Sequence, residues 1–346
     1  MRVVEFIIDG EKIETGHRRK LDIKIAKLYD YTDMTLTVEV IRGEQDGPTM
    51  FVSAAMHGDE INGVEVCRRL LMHKVLKKLK GTLIVVPIVN IFGYNSKSRY
   101  LPDRRDLNRS FPGSASGSLA GRLANVFLKE IVDKCTHGID LHTGAIYRSN
   151  LAQIRASLHV PETQRLAKAF GSPVILNSKI REGSLRSMVV SKNIRFLVFE
   201  GGEALRFDEK VINSGLYGVL SVMKEIGMLE ELPFKQRKKK EVYTAKSSYW
   251  ARASESGILT GSKALGTRVK AGEVIAKISD PFGIHLIKVK ASRAGIIIGK
   301  AELPLINEGD ALFHIACFEE DDKAVAASVE SFDEFVDGTL EEVLES

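Results

Sequence analysis

Several classes of protein are excluded by what this 346-residue chain lacks. It has only three cysteines, Cys67, Cys135 and Cys317, which form no C-x-x-C pair. Thiols this sparse rule out a disulfide scaffold and suit a reducing cytosol. No stretch approaches 18 continuous apolar residues, so no membrane helix is expected. The opening MRVVEFIIDGEK carries Glu5 and Asp9 and has no A-x-A-like cleavage site, so no secretory signal is expected and the reading is cytoplasmic. There is no G-x-S-x-G, which removes the serine nucleophile elbow. The glycines at 261–266 follow no nucleotide-fold strand and open no helix, so no dinucleotide site is expected.

The composition is that of a globular chain: 44% hydrophobic and 27% charged residues, with 9 prolines, fit neither a collagen-like, a coiled-coil nor a wholly disordered protein. At roughly 150 residues per domain the length implies about two domains. The net charge of +5 is unevenly spread, because eleven acidic residues against one lysine, Lys323, fall in 319–346. The body is therefore basic, but no aromatics are interleaved with its lysines and arginines. Its densest cluster, KQRKKK at 235–240, lies where a connector belongs. That pattern gives no nucleic-acid surface.

The hydrophobic pattern changes twice along the chain. Up to about Gly47, LDIKIAKL and TLTVEVI alternate as antiparallel strands do. Continuous apolar runs follow at 49–56, 82–90, 138–141, 173–177 and 195–199, as in strands buried on both faces of a parallel or mixed sheet. Helical patterns separate them; in INGVEVCRRLLMHKVLKKLK, Val64, Cys67, Leu71 and Val75 form one stripe. Strands alternating with helices predict a three-layer α/β catalytic domain over 1–234, followed by a basic linker at 235–242. Residues 243–318 are rich in glycine and β-branched residues and hold a near-repeat, with 254–278 aligning on 292–316. Two such halves can interlock as a small all-β barrel. The segment resembles the biotinyl/lipoyl-type barrel-sandwich domain, in which a modified lysine sits on the hairpin joining the halves. The turn here, SDPFG at 279–283, has no lysine, which points to a structural or site-covering role. Residues 319–346 form an acidic tail with a faint helical pattern through Val325, Val329 and Phe332.

Polar residues stand where apolar runs end. MHGDE places His57 and Glu60 after the first buried strand, LHTG places His142 after the third, and FEGG places Glu200 after the last. Ligands of open α/β sheets bind beyond the carboxyl ends of the strands, so the four converge on one edge. Two histidines and one glutamate are the ligand set of a catalytic zinc that keeps a position open for water. H-x-x-E lets two ligands reach one ion from one tight turn, and the third must come from far away. Asp140, two residues before His142, points the same way and can orient the imidazole. The arginine-dense RRDLNRSFPG at 104–113 suits an anionic substrate, since arginine forks grip carboxylates. The other histidines, His17, His73, His137, His159, His285 and His314, have no partner motif and read as surface or core residues.

In this order, HGDE, DLNR, DLHTG and the strand-end Glu resemble the zinc carboxypeptidase superfamily, and more closely its aspartoacylase/succinylglutamate desuccinylase group. The resemblance covers roughly residues 30–235 and implies a zinc-carboxypeptidase-like domain with a mixed central sheet. It implies that His57, Glu60 and His142 bind one zinc ion per chain, that Glu200 is general base and proton shuttle, and that Asn108 and Arg109 hold the substrate carboxylate. An arginine before DLNR should polarise the scissile carbonyl; Arg99 is the first choice, with Arg104 and Arg105 as competitors. Arg186 matches an arginine that meets the substrate's second anionic group. The expected activity is hydrolysis of an N-acyl amino acid or related small carboxylate, the alternative being a carboxypeptidase acting on short peptides. The expected partner is a small anionic molecule rather than nucleic acid or membrane, with a homo-oligomer left open.

Overall fold

The computed structural model describes residues 5–233, 242–319 and 323–332. Its main sheet runs in the order Arg18–Lys27, Asp33–Arg42, Lys80–Val86, Gln45–Ala54, His137–Gly144, Arg195–Glu203, Arg148–Ala156. The middle four strands are parallel to one another, and antiparallel strands flank them on both sides. This mixed sheet explains the change of texture in the sequence. The antiparallel Arg18–Lys27 alternates exposed and buried residues, whereas every residue of His137–Gly144 is buried.

Alternate residues of each strand feed two separate cores, because side chains on a strand point to opposite faces. Met50, Val52 and Ala54 pack with helices Asn62–Met72, Pro161–Phe170 and Glu209–Glu225 through Cys67, Leu70, Phe170 and Leu216. Phe51 points the other way, against helices Leu119–Glu130 and Leu185–Ser191. Its ring lies 6.0 Å from that of Phe127 and 5.9 Å from that of Phe196. The layers are thus helix, sheet, helix. The first helix is shorter than its pattern suggests. It ends at Met72 and gives way to a 3-10 turn at Lys74–Lys78, where the His73 ring accepts from the Val75 amide. Val66, Cys67 and Leu70 are its buried apolar residues, so Val64, Leu71 and Val75 of the expected stripe sit at its margin.

The near-repeat folds as two interlocked halves. Gly257–Thr260 pairs with Val274–Ser279 of its own half and with Leu305–Ile306 of the other. Gly295–Ala301 pairs with Ala311–Cys317 of its own half and with Arg268–Val269 of the first. Each half lends its short middle strand to its twin. The barrel is also continuous with the main sheet, since Gly299–Ala301 pairs with Arg148–Asn150. Tyr243–Ala245, just after the basic segment, lies parallel to Val174–Leu176 at that same edge. The compositional change near residue 243 is therefore not where strand pairing with the first domain stops. The basic cluster at 235–240 lies outside the described residues. Of the acidic tail, residues 323–332 are helical and bury Val325, Val329 and Phe332; 333–346 lie outside the described residues. Among the described residues no helix is long and apolar enough to cross a membrane.

Candidate metal centre and active site

The HGDE turn follows Gln45–Ala54 directly. Ala55 takes a positive φ of 46°, and the Glu60 amide closes on the His57 carbonyl at 3.1 Å just before helix Asn62–Met72 starts. Gly58 is required here for space: a Cβ on it would stand 1.9 Å from the Gly93 carbonyl carbon. The turn is thereby pressed against the segment that leads to Arg99. His142 and Glu200 lie inside their strands rather than beyond them. They are direct register partners on the parallel pair His137–Gly144 and Arg195–Glu203, which puts both side chains on one face. Asp140 is two residues back on that face.

His57, Glu60 and His142 are all buried, and one ligand atom from each lies within 4.8 Å of the others. Glu60 sits between the rings, with Oε1 2.7 Å from His57 Nδ1 and Oε2 2.6 Å from His142 Nδ1. Each ring turns its other nitrogen to a second carboxylate. His57 Nε2 is 3.2 Å from Asp106, and His142 Nε2 is 2.8 Å from Asp140, which in turn accepts from the Ser53 hydroxyl at 2.7 Å. Burial pushes the Glu60 carboxyl up, but the two imidazoles outweigh it and hold it well below the carboxylate range. Burial lowers both imidazoles; Glu60 and Asp106 raise His57 against it, and Asp140 and Glu60 carry His142 well above the histidine range. Asp106 is held low against its own burial by His57 and Arg99.

These residues fit a borderline divalent ion. Imidazole and carboxylate donors converge, and each imidazole has the outer carboxylate partner that metal-ligating histidines carry.

Arg99 reaches the group directly, with Nη1 3.2 Å from Glu60 and Nη2 2.9 Å from Asp106. It also lines a cavity of about 410 Å³ shared with Asp59, Lys97, Tyr147 and Leu205. Lys97, Tyr147 and Leu205 all hold positive φ, at 52°, 58° and 56°, strain of the kind that collects at functional sites. Arg104 and Arg105 remain exposed, Arg105 reaching only Asp103 at 3.9 Å. Asn108 Oδ1 accepts from the Leu185 amide at 2.9 Å, which ties the DLNR turn to the start of helix Leu185–Ser191. Arg109 is exposed and bonds back to the Asn108 carbonyl. Arg186 donates to the carbonyls of Ser178 and Lys179. Burial and the neighbouring Arg155 guanidinium push it down to about 10, with Glu200 opposing.

Sequence reasoning passed over four groups at this site. Asp106 opens DLNR and was visible there; it caps the turn through the Asn108 amide at 2.8 Å and also holds His57. Asp59 sits inside HGDE. Burial and Glu60 raise its carboxyl, and its Oδ1 has no hydrogen-bond partner among the described residues. Asn150 donates to Glu200 Oε2 at 2.8 Å, and Arg155 lies 3.5 Å from Glu200 Oε1. These last two carry no local signal, because only strand pairing brings them to Glu200.

A buried two-histidine, one-glutamate group that could hold a metal ion thus lies at the carboxyl edge of a mixed sheet layered between helices. The succinylglutamate desuccinylase/aspartoacylase catalytic domain model matches residues 46–226, and the chain belongs to that family. N-alpha-acetyl-L-2,4-diaminobutyric acid deacetylase of Halomonas elongata is 28% identical over 296 residues, spanning 80% of this chain and 84% of that protein. The product-bound ectoine utilization protein EutE (DoeB) of Ruegeria pomeroyi superposes with a TM-score of 0.77 at 21% identity, over 87% of this chain and 95% of its own. A succinylglutamate desuccinylase/aspartoacylase from Rhodobacter sphaeroides gives 0.78 at 23%, over 88% and 96%. At that coverage both superpositions extend beyond the catalytic sheet into the barrel.

Proposed function

We propose that the chain is a zinc-dependent deacylase that hydrolyses the amide of an N-acyl amino acid. One observation carries the reading: the His57–Glu60–His142 group stands beside a carboxylate, Glu200, held directly across from His142 in strand register. His57, Glu60 and His142 would hold the ion, which when bound activates water and polarises the amide oxygen. Glu200 is placed to take a proton from water and return it to the leaving nitrogen, the work of a positioned carboxylate. Arg99, on the cavity wall, is placed to stabilise the oxyanion that forms. Asn108 and Arg109 offer an amide and a guanidinium for the substrate carboxylate, and Arg155 and Arg186 add positive charge beside Glu200. The acetylated amino acid named for the Halomonas relative has this chemistry, a small carboxylate carrying an acyl amide.

The test joins metal analysis of the purified protein to a hydrolysis screen of N-acetyl, N-succinyl and N-formyl amino acids beside short peptides. About one zinc per chain is expected, with turnover of an acylated amino acid. The Glu200→Gln variant should keep the zinc and lose at least 10³-fold in kcat. Zinc with turnover of peptides alone would replace the deacylase by a carboxypeptidase. A chain that binds no metal and turns over neither class would overturn the proposal.

A further inference from the structure

Resting on Glu200 as the base, we infer that Asn150 is its positioning residue and that the C-terminal barrel, through Gly299, sets where Asn150 stands. The strand Arg148–Ala156 divides its partners. Gln153–Ala156 pairs with Val174–Asn177, whereas Arg148–Asn150 pairs with Gly299–Ala301 of the barrel. Asn150 is flanked in register by glycine on both sides, Gly202 on the catalytic strand and Gly299 on the barrel strand. Into that slot it fits a side chain only 7% exposed. Its Nδ2 donates to Glu200 Oε2 at 2.8 Å, and its Oδ1 lies 2.9 Å from where a Cβ on Gly299 would stand. Gln153, the residue opposite Glu200 and fully buried, donates to the Ile298 carbonyl at 3.1 Å, which ties the same two strands together.

The near-repeat sharpens the point. G-x-x-x-G recurs as Gly257–Gly261 and Gly295–Gly299. Gly261 has a φ of 62° and open space around it, the mark of a turn glycine. Gly299 instead faces Asn150 Oδ1 and, at 3.2 Å, the His314 Cβ, so what it supplies is room. The last torsion of a glutamate is broad, so an unheld carboxylate spreads over many orientations. The Arg155 guanidinium stands 3.5 Å from Oε1, and the closer neutral amide on Oε2 removes the remaining freedom and leaves Glu200 aimed at the reacting atoms, where small misplacements are costly in rate. The barrel is thus part of the catalytic machinery, reaching the base through one amide.

Four variants of the full, metal-loaded chain test this. Asn150→Ala should lower kcat 10- to 100-fold with KM changed less than threefold and metal content unchanged. Asn150→Asp keeps the shape but sets a like charge against Glu200, and should lose at least as much. Gly299→Ala should cost about tenfold alone by displacing the amide. Combined with Asn150→Ala it should cost little further, because the nearest obstacle to its methyl is then gone and the His314 Cβ at 3.2 Å is the contact that remains; independent effects would multiply. Retention of kcat within twofold by both Asn150 variants would overturn the inference, as would a double variant whose loss is the product of the singles. Should Gly299→Ala fail to fold, the Asn150 pair decides alone. If Glu200→Gln is inactive while both Asn150 variants are unimpaired, this inference fails and the deacylase reading stands. Crystal structures read the same point without turnover: Glu200 keeping its orientation in Asn150→Ala would refute it.

Discussion

The carboxyl edge of the central sheet and the barrel use buried polar residues in opposite ways. At the sheet edge they are dense and matched: Glu60 has an imidazole on each oxygen and a guanidinium beside one, and each imidazole has a second carboxylate. In the barrel, His314 is the one buried polar side chain among the described residues, and it stacks on Trp250 at 4.5 Å and bonds the Ser248 hydroxyl. Buried charge is tolerated when paired and is costly when alone. One region therefore concentrates charge where the proposed ion and reaction would use it. The other contributes shape and strand pairing, and meets the residues around Glu200 chiefly through Asn150.

The largest effect should come from breaking the matched region at its centre. Glu60→Gln removes the one negative charge that both imidazoles share. Metal affinity should fall by at least 10³-fold and turnover with it, read by metal content after gel filtration against a chelator. An equally large loss from a buried barrel substitution such as Ile297→Val would erase the contrast between the regions. A graded version tests the outer carboxylates. Asp140→Asn keeps the shape and the Ser53 contact but weakens the hold on His142 Nε2. Outer partners of metal-ligating histidines are typically worth 10- to 100-fold in affinity, and a loss in that range is expected by chelator competition. An unchanged affinity would mean that Asp140 serves the fold rather than the ion.

How much of this was legible in the sequence follows the same division. HGDE and DLHTG could be read because a polar residue ending an apolar run reports both the strand and its carboxyl edge. Arg99 could be preferred but not chosen, since only the fold shows that Arg104 and Arg105 stay at the surface. Asn150 and Arg155 were out of reach. They meet Glu200 across an antiparallel pairing, and nothing in their own neighbourhood records that register. The transition between the two regions is harder to read for a related reason. Composition changes near residue 243, yet Tyr243–Ala245 and Gly299–Ala301 both pair with strands of the catalytic sheet. The interlocking of the two barrel halves was readable because the repeat is local in sequence, although the strand exchange it produces is not.

The smallest effect concerns the unmatched region and should appear in stability alone. Burial and the nearby Arg155 guanidinium push the His314 imidazole down to about 3, and its Nδ1 has no hydrogen-bond partner among the described residues. Its other neighbours are the Ser248 hydroxyl and the Trp250 ring, over which Arg148 lies at 5.6 Å. Among the described residues no carboxylate pairs with it to accept a charge. In the unfolded chain a histidine titrates near 6.5. Between these values the unfolded state binds a proton that the folded state refuses, so stability rises with pH from about 3 to 6.5 and is lost on acidification. At pH 4.5, two units below the unfolded value, the loss is about 3 kcal/mol at most. His314→Phe keeps a ring on Trp250 and has no proton to take up. Its unfolding midpoint should fall less than that of the parent chain between pH 7 and 4.5, by about 5 °C. The carboxylates of the metal group also lose stability in acid, in both chains alike, so the difference between the two unfolding curves isolates His314. Equal losses would show that Arg155 and burial leave this ring free to protonate, and that the barrel relieves charge in a way its packing does not reveal.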